Sequence, residues 1–403
     1  MAARKENRWL IVLGTIIVQM GLGTIYTWSL FNQPLVDRFG WELSSVATTF
    51  SITSFALAFA TLFSGKLQDK WGLRRLIAFV GVLLGVGLML SSQASSLAML
   101  YILAGVVVGF ADGLGYMTSL SNLIKWFPEK KGLMSGISVG SYGTGSLVFK
   151  FINGGLIQSV GVTQTFLFWG LIVMVMIVGG SFLLREATVS SATKAVNGDY
   201  RKDYTVKEML KMKEAYGLFV IVFTACMSGL YLISIAKDIG VSMAGLDVAT
   251  AANAVALVAI FNTTGRIILG ALSDKVGRLK VVSGALLATA VAVTVLSYVE
   301  LNYALFFTCV AVIAFCFGGN ITIFPAIVSD FFGLKNSGKN YSVIYQGFGL
   351  GALSGSFIAS ALGGFTPTFT LIGVLCIISV LIALNLKAPG TTKPEKQRKL
   401  VHA

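Results

Sequence analysis

Apolar residues run in long blocks along this chain, parted by short turns that carry glycine, charge or both. A membrane-spanning helix needs about 20 predominantly apolar residues. Six blocks of that kind fall in the first half, at 9–31, 45–65, 74–94, 97–124, 132–157 and 164–184. Six more fall in the second, at 215–236, 248–272, 279–298, 302–326, 339–361 and 366–386. The connections alternate: those after each odd-numbered segment are nearly free of Lys and Arg, and the others are basic. The first block follows Arg4, Lys5 and Arg8 as a signal peptide would, but it outruns the ~7–15 residues of a signal core and is expected to remain as a span. The pattern predicts an all-α membrane protein of twelve transmembrane helices in two six-helix bundles.

One polar stretch interrupts the pattern between the halves. The expected organisation is a bundle over 1–184, a linker over 185–213, a second bundle over 214–387 and a disordered tail over 388–403. Near the end of the linker, Thr205 and Glu208 have capping-box spacing, followed by Met209, Leu210 and Met212 between lysines. That predicts a short amphipathic helix on the membrane surface.

The halves repeat. The turn Gly65-Lys-Leu-Gln-Asp69-Lys70-Trp-Gly72-Leu-Arg74-Arg75 returns as Gly270-Ala-Leu-Ser-Asp274-Lys275-Val-Gly277-Arg278, with both glycines and the aspartate displaced by 205 residues. Trp126-Phe127 returns as Phe331-Phe332 at the same displacement, and Tyr142-Gly143-Thr-Gly145 is echoed by Phe348-Gly349-Leu-Gly351. Two copies at one offset in segments of equal order imply duplication in parallel orientation.

Composition and charge narrow the partners. The chain is 55% hydrophobic and 12% charged, against about a quarter charged in soluble domains. A net charge of +14 would suit nucleic acid if it formed one face. It does not: all but four of the 31 Lys and Arg lie at helix ends sharing one side of a membrane, the exceptions being Arg38, Lys150, Lys237 and Arg266. The positive-inside rule then puts both termini in the cytoplasm. Cys226, Cys309, Cys316 and Cys376 sit in apolar runs without metal-ligand spacing, and the one histidine, His402, is in the tail. No nucleophile–base pair, nucleotide loop or metal cluster is present, so neither enzyme, cofactor nor metal is expected.

Candidate chemistry lies at lipid depth. Arg266 falls near the middle of the eighth segment, where a charge costs roughly 2.5–3.5 kcal/mol to insert and so needs a cavity and a partner. Its planar fork suits a carboxylate, and Asn262, one turn earlier, could add a donor. Tyr26, Trp28, Tyr116, Tyr142, Tyr345 and Phe348 fall on segments expected to line a central cleft, and Phe317, on the tenth segment, is a further candidate. Asp112 lies one turn before Tyr116 and reads either as a proton acceptor or as a structural partner of Lys150. Lys237-Asp238 reads as a solvated helix end. Gly65, Asp69, Arg74, Gly270, Asp274 and Arg278 form the duplicated turns, with charges suited to pairing between helix ends.

These turns, in two parallel six-helix halves, resemble the loop motif of the major facilitator superfamily, which implies a site near the midplane and a latch that shuts the cytoplasmic side. Tyr26-Thr-Trp28-Ser-Leu-Phe-Asn32, Lys125-Trp126-Phe127-Pro128, Ser141-Tyr142-Gly143 and Gly318-Gly319-Asn-Ile-Thr-Ile-Phe324-Pro325 resemble the oxalate/formate antiporter family, across all twelve segments. The likeness looks closest to its bacterial pyruvate-transporting members. It implies a bacterial inner-membrane carrier, monomeric, for a small carboxylate, with or without a proton, and with Tyr26, Tyr116, Tyr142, Arg266 and Tyr345 around the substrate. The chain departs from that family at Phe348, where the oxalate carrier has lysine. With one cation in the site a dianion keeps an unpaired buried charge, which favours pyruvate, lactate or formate. Asn262 also replaces an aspartate of the animal monocarboxylate carriers, so their proton scheme does not transfer. An oxalate/formate-type exchanger and an exporter of unrelated small molecules are the alternatives.

Overall fold

A computed structural model of the protein describes residues 8–187, 202–362 and 364–389, and among them every regular element is helical. α1 (Arg8–Gly23) passes through one tight 3-10 turn, Thr24–Thr27, into α2 (Ser29–Phe39), so the first span is interrupted midway. α3 (Leu43–Trp71) and α4 (Leu73–Ser91) are the next two. The fourth combines α5 (Leu97–Leu100), a π-helical stretch at Tyr101–Val107 and α6 (Val108–Trp126). α7 (Lys131–Leu183) supplies the fifth and sixth, because Gly161, at φ 80°, turns the chain back on itself. A short loop was expected there; one residue suffices, since glycine occupies the left-handed region without a Cβ clash.

After the linker turn α8 (Val206–Met209) come α9 (Lys213–Ser242), α10 (Val248–Val276), α11 (Arg278–Tyr298) and α12 (Tyr303–Phe332). The eleventh span is divided into α13 (Ser337–Ile344) and α14 (Gln346–Leu362), and α15 (Phe365–Asn385) is the last. Among the described residues, ten helical stretches are long and apolar enough to cross a membrane. Counting α7 twice and adding the divided span restores the twelve.

The duplication is visible in the packing. In the first half α3 packs on α6, and α1 and α4 pack on α7; in the second, α10 packs on α12, α14 on α9 and α11 on α15. Gly72 and Gly277, the repeated turn glycines, stand at φ 75° and 107° and let the next helix begin at once. Buried aromatic rings fill the first bundle around the interrupted span, with Phe31 4.8 Å from Phe166 and 5.0 Å from Trp169, and the Trp169 indole donating to Thr24. Outward-facing Phe151, Val175, Phe182 and Leu384 are exposed, as a lipid-facing wall requires.

The linker is shorter in helix and tighter in docking than the sequence suggests. Its capping box forms, but the helix is a single turn, and Met209 is buried instead of lying on a surface. Lys202, followed by Thr205, holds the Glu208 carboxyl at a pKa of about 2. Because that pKa is depressed, the cap persists down through the ordinary carboxylate range and is lost only near pH 2. Tyr204 donates to the Phe332 carbonyl and accepts from Asn336 and Asn340, strapping the linker to the second bundle. The remainder of the linker, the tail beyond residue 389 with His402, and the side chains of Lys237 and Asp238 lie outside the described residues.

Candidate functional site

The halves meet through α7 against α10 and α12, through α3 against α13 and α14, and through α6 against α13. Where these contacts reach mid-span they leave a small cavity of about 10 Å3, lined by Tyr26, Leu57, Tyr116, Val139, Tyr142, Arg266, Ile321, Tyr345 and Phe348. That is room for about one water, so the halves close tightly on these side chains.

Arg266 reaches the cavity from α10 and is 5% exposed. Its Nη1 donates to the Val139 carbonyl of α7 at 2.6 Å, and its Nε is buried with no acceptor. The approach depends on Gly143, where a Cβ would lie 3.4 Å from Nη1 and 3.1 Å from the Thr263 hydroxyl. The buried guanidinium thus has a carbonyl for its fixed partner and donors to spare.

The tyrosines form a continuous wall. Tyr142 meets Tyr26 edge-on at 5.2 Å and Tyr116 at 5.6 Å; Tyr116 stacks across the interface on Tyr345 at 5.5 Å; Tyr345 stacks on Phe348 at 5.0 Å. Tyr26 lies in the 3-10 turn of the first span, and Tyr345 is the residue that divides the eleventh. Both interrupted helices therefore break at a cavity residue. The Tyr142 hydroxyl also donates to Asp112 Oδ1 at 3.2 Å.

Six of the nine expected binding residues come together here: Arg266, Tyr26, Tyr116, Tyr142, Tyr345 and Phe348. The other three are turned elsewhere. Asn262 donates to the Ala314 carbonyl of α12, Phe317 packs on Gly229 of α9, and Trp28 stacks with Phe31 inside the first bundle. Asp112 is not paired with Lys150, which is exposed on α7. Leu57, Val139 and Ile321 also line the cavity; the sequence does not single them out, because apolar residues in apolar helices carry no mark of which face lines a cavity. The four cysteines are buried thiols, as expected.

On the side of the duplicated turns the halves are clasped. Asp274 accepts from the backbone N–H groups of Gly132 and Leu133 at 3.0 and 2.9 Å, so the carboxylate caps the N-terminus of α7, where the helix dipole favours an anion. Arg278 joins Asp274 to Asp330, and Asp330 is bound across the interface by Lys131 at 2.8 Å. In the first half Asp69 pairs with Lys339 of α13, a partner from the opposite bundle and not from its own turn. Arg74 donates to the carbonyls of Phe182 and Leu184 within its own half. Gln346 completes the seam by donating to the Ala58 carbonyl of α3 at 2.9 Å.

A model of the Major Facilitator Superfamily matches residues 11–252 and 217–402. An uncharacterised MFS-type transporter of Escherichia coli, YhjX, is 47% identical over 349 residues, 87% of either chain. The oxalate:formate antiporter of Oxalobacter formigenes is 28% identical over 396 residues, 97% of this chain and 94% of that one. Among solved structures, the Escherichia coli fucose:proton symporter superposes with a TM-score of 0.72 at 10% identity, covering 94% of this chain and 99% of its own.

Proposed function

The chain belongs to the major facilitator superfamily, and from that premise we propose that it is a secondary transporter of a small monocarboxylate of the pyruvate, lactate or formate class. The observation that carries this reading is Arg266, a buried guanidinium with spare donors in a small cavity walled by tyrosines. A carboxylate meets the fork with two parallel hydrogen bonds, and the phenol rings offer both hydroxyls and apolar walls to a short carbon chain. Phe348, stacked on Tyr345, supplies no second cation, so a monoanion leaves the cavity neutral with Arg266 and a dianion does not.

Transport follows by alternating access. Contacts made only while the turn side is shut bias the equilibrium by their own free energy, and the Asp274 and Asp69 clasps are of that kind. The basic turns support a bacterial inner-membrane carrier with that side cytoplasmic, acting as a monomer. Kinship with the oxalate:formate antiporter favours a second reading, exchange of oxalate-type anions.

Counterflow separates the two. Proteoliposomes loaded with pyruvate are challenged with lactate, formate, oxalate and acetate at several pH values. Exchange with monocarboxylates and little with oxalate is expected; preferential oxalate exchange would favour the second reading.

A further inference from the structure

We propose that Asp112 and Tyr142 couple the site to one proton, so that the anion bound at Arg266 crosses the membrane together with a proton held on Asp112. This rests on the monocarboxylate reading above and adds the coupling ion to it.

Asp112 lies within α6 and is wholly buried. Its Oδ1 accepts from Tyr142, and its Oδ2 has no partner. A carboxylate buried in this way is costly unless it is paired or protonated. Lys150, the cation nearest on the adjoining span by sequence, faces outward and gives it no ion pair. On the other side of Tyr142 stands Arg266, also buried and also lacking a carboxylate partner among the described residues. One residue joins the two: the Tyr142 hydroxyl holds Asp112, its ring walls the cavity, and its neighbour Gly143 admits the guanidinium.

The groups facing this place are few. Tyr26 comes from the 3-10 turn, Gln19 from α1, Leu57 from α3, Tyr116 from α6 beside Asp112, Tyr142 from α7, the buried thiol Cys226 from α9, Tyr341 from α13 and Tyr345 at its end, with Arg266 across the cavity from α10. Arg266 is the sole fixed cation among them. Without substrate, an ionised Asp112 and Arg266 make the centre neutral. With a bound monoanion on Arg266, neutrality returns only if Asp112 carries a proton. Both neutral forms can pass through a low-dielectric centre; the mixed forms hold an uncompensated charge.

The step balances simply. A proton from water on one face reaches the Tyr142 oxygen as the phenol passes its own proton to Asp112, forming one O–H bond there. Loss of the anion on the other face reverses it. One anion and one proton move, with no net charge.

Purified protein in weakly buffered detergent solution is titrated with pyruvate while a pH indicator reports protons, and the affinity is measured across pH. Wild type should take up about one proton per pyruvate bound, and its affinity should fall by roughly tenfold per pH unit on the alkaline side, as reciprocal linkage requires. In proteoliposomes a proton gradient should drive pyruvate accumulation. Asp112→Asn should bind without proton uptake and equilibrate pyruvate without accumulating it, and Asp112→Glu should restore both. Pyruvate binding by wild type without proton uptake would overturn the proposal even if no variant folds. So would gradient-driven accumulation by Asp112→Asn. Absence of binding of pyruvate, lactate and formate by wild type would overturn the monocarboxylate reading itself, and is told apart in that way.

Discussion

A guanidinium held by one carbonyl at 2.6 Å, with a buried Nε still lacking an acceptor, is arranged for a planar partner. Lysine would keep the charge at Arg266 but lose the fork, and its ammonium would be solvated by nothing the cavity provides in the same plane. Arg266→Lys and Arg266→Ala should each weaken pyruvate binding at least about 30-fold, the low end of a lost buried charge contact, as equilibrium binding would show. In the proposed site, Phe348 is what keeps the cation count at one. Phe348→Lys should depress monocarboxylate exchange and admit oxalate, and an unchanged counterflow profile would remove Phe348 from the site. Arg266 and the tyrosines were readable in the sequence because charge and hydroxyl groups are conspicuous in hydrocarbon. Asn262 misled for a geometric reason: one helical turn from Arg266 leaves it rotated by about 40°, enough to face α12 instead of the cavity.

On the proposed alternating-access reading the helix-ending turns are the gate, and here the two copies part company. Asp274 is 16% exposed and binds two backbone N–H groups and Arg278, whereas Asp69 is 65% exposed and has Lys339. Exposed pairs contribute about 0.2–1 kcal/mol; hydrogen bonds to charged groups contribute about 1.5–3 kcal/mol. Asp274→Asn should therefore shift the balance away from the shut state more than Asp69→Asn does, measured by cysteine labelling from each side, with substrate affinity of the open site retained. Gly132→Val tests the same clasp sterically. A Cβ there would lie 2.9 Å from the Asp274 carboxylate and meet the Gly270 carbonyl still more closely, so labelling from the turn side should rise. The duplicated turns were plain in the sequence because glycine at positive φ and a helix-ending aspartate recur at fixed spacing. Their partners were not, since Lys339 stands 270 residues from Asp69 and Asp330 199 from Lys131. The breaks at Tyr26 and Tyr345 were not picked out either: Gly23 and Gly347 stand beside them, but glycine recurs throughout these apolar spans and marks no single position.

At the scale of the molecule, twelve spans in two bundles follow from hydropathy and repetition, because length and apolarity suffice to assign a span. Which bundle faces touch is a matter of shape, and that was hidden. The two seams differ in build. Along α7 and α10 the backbones approach through Gly132, Gly136 and Gly270, beneath a network of four charges. Along α3 and α13 one solvent-exposed pair and Gln346 span the gap. A door with a deep hinge on one jamb and a light catch on the other does not part evenly; it swings. Spin labels across α3–α13 should separate sooner and farther than labels across α7–α10 as the protein opens. Salt, which screens exposed charges first, should loosen the catch and leave the hinge.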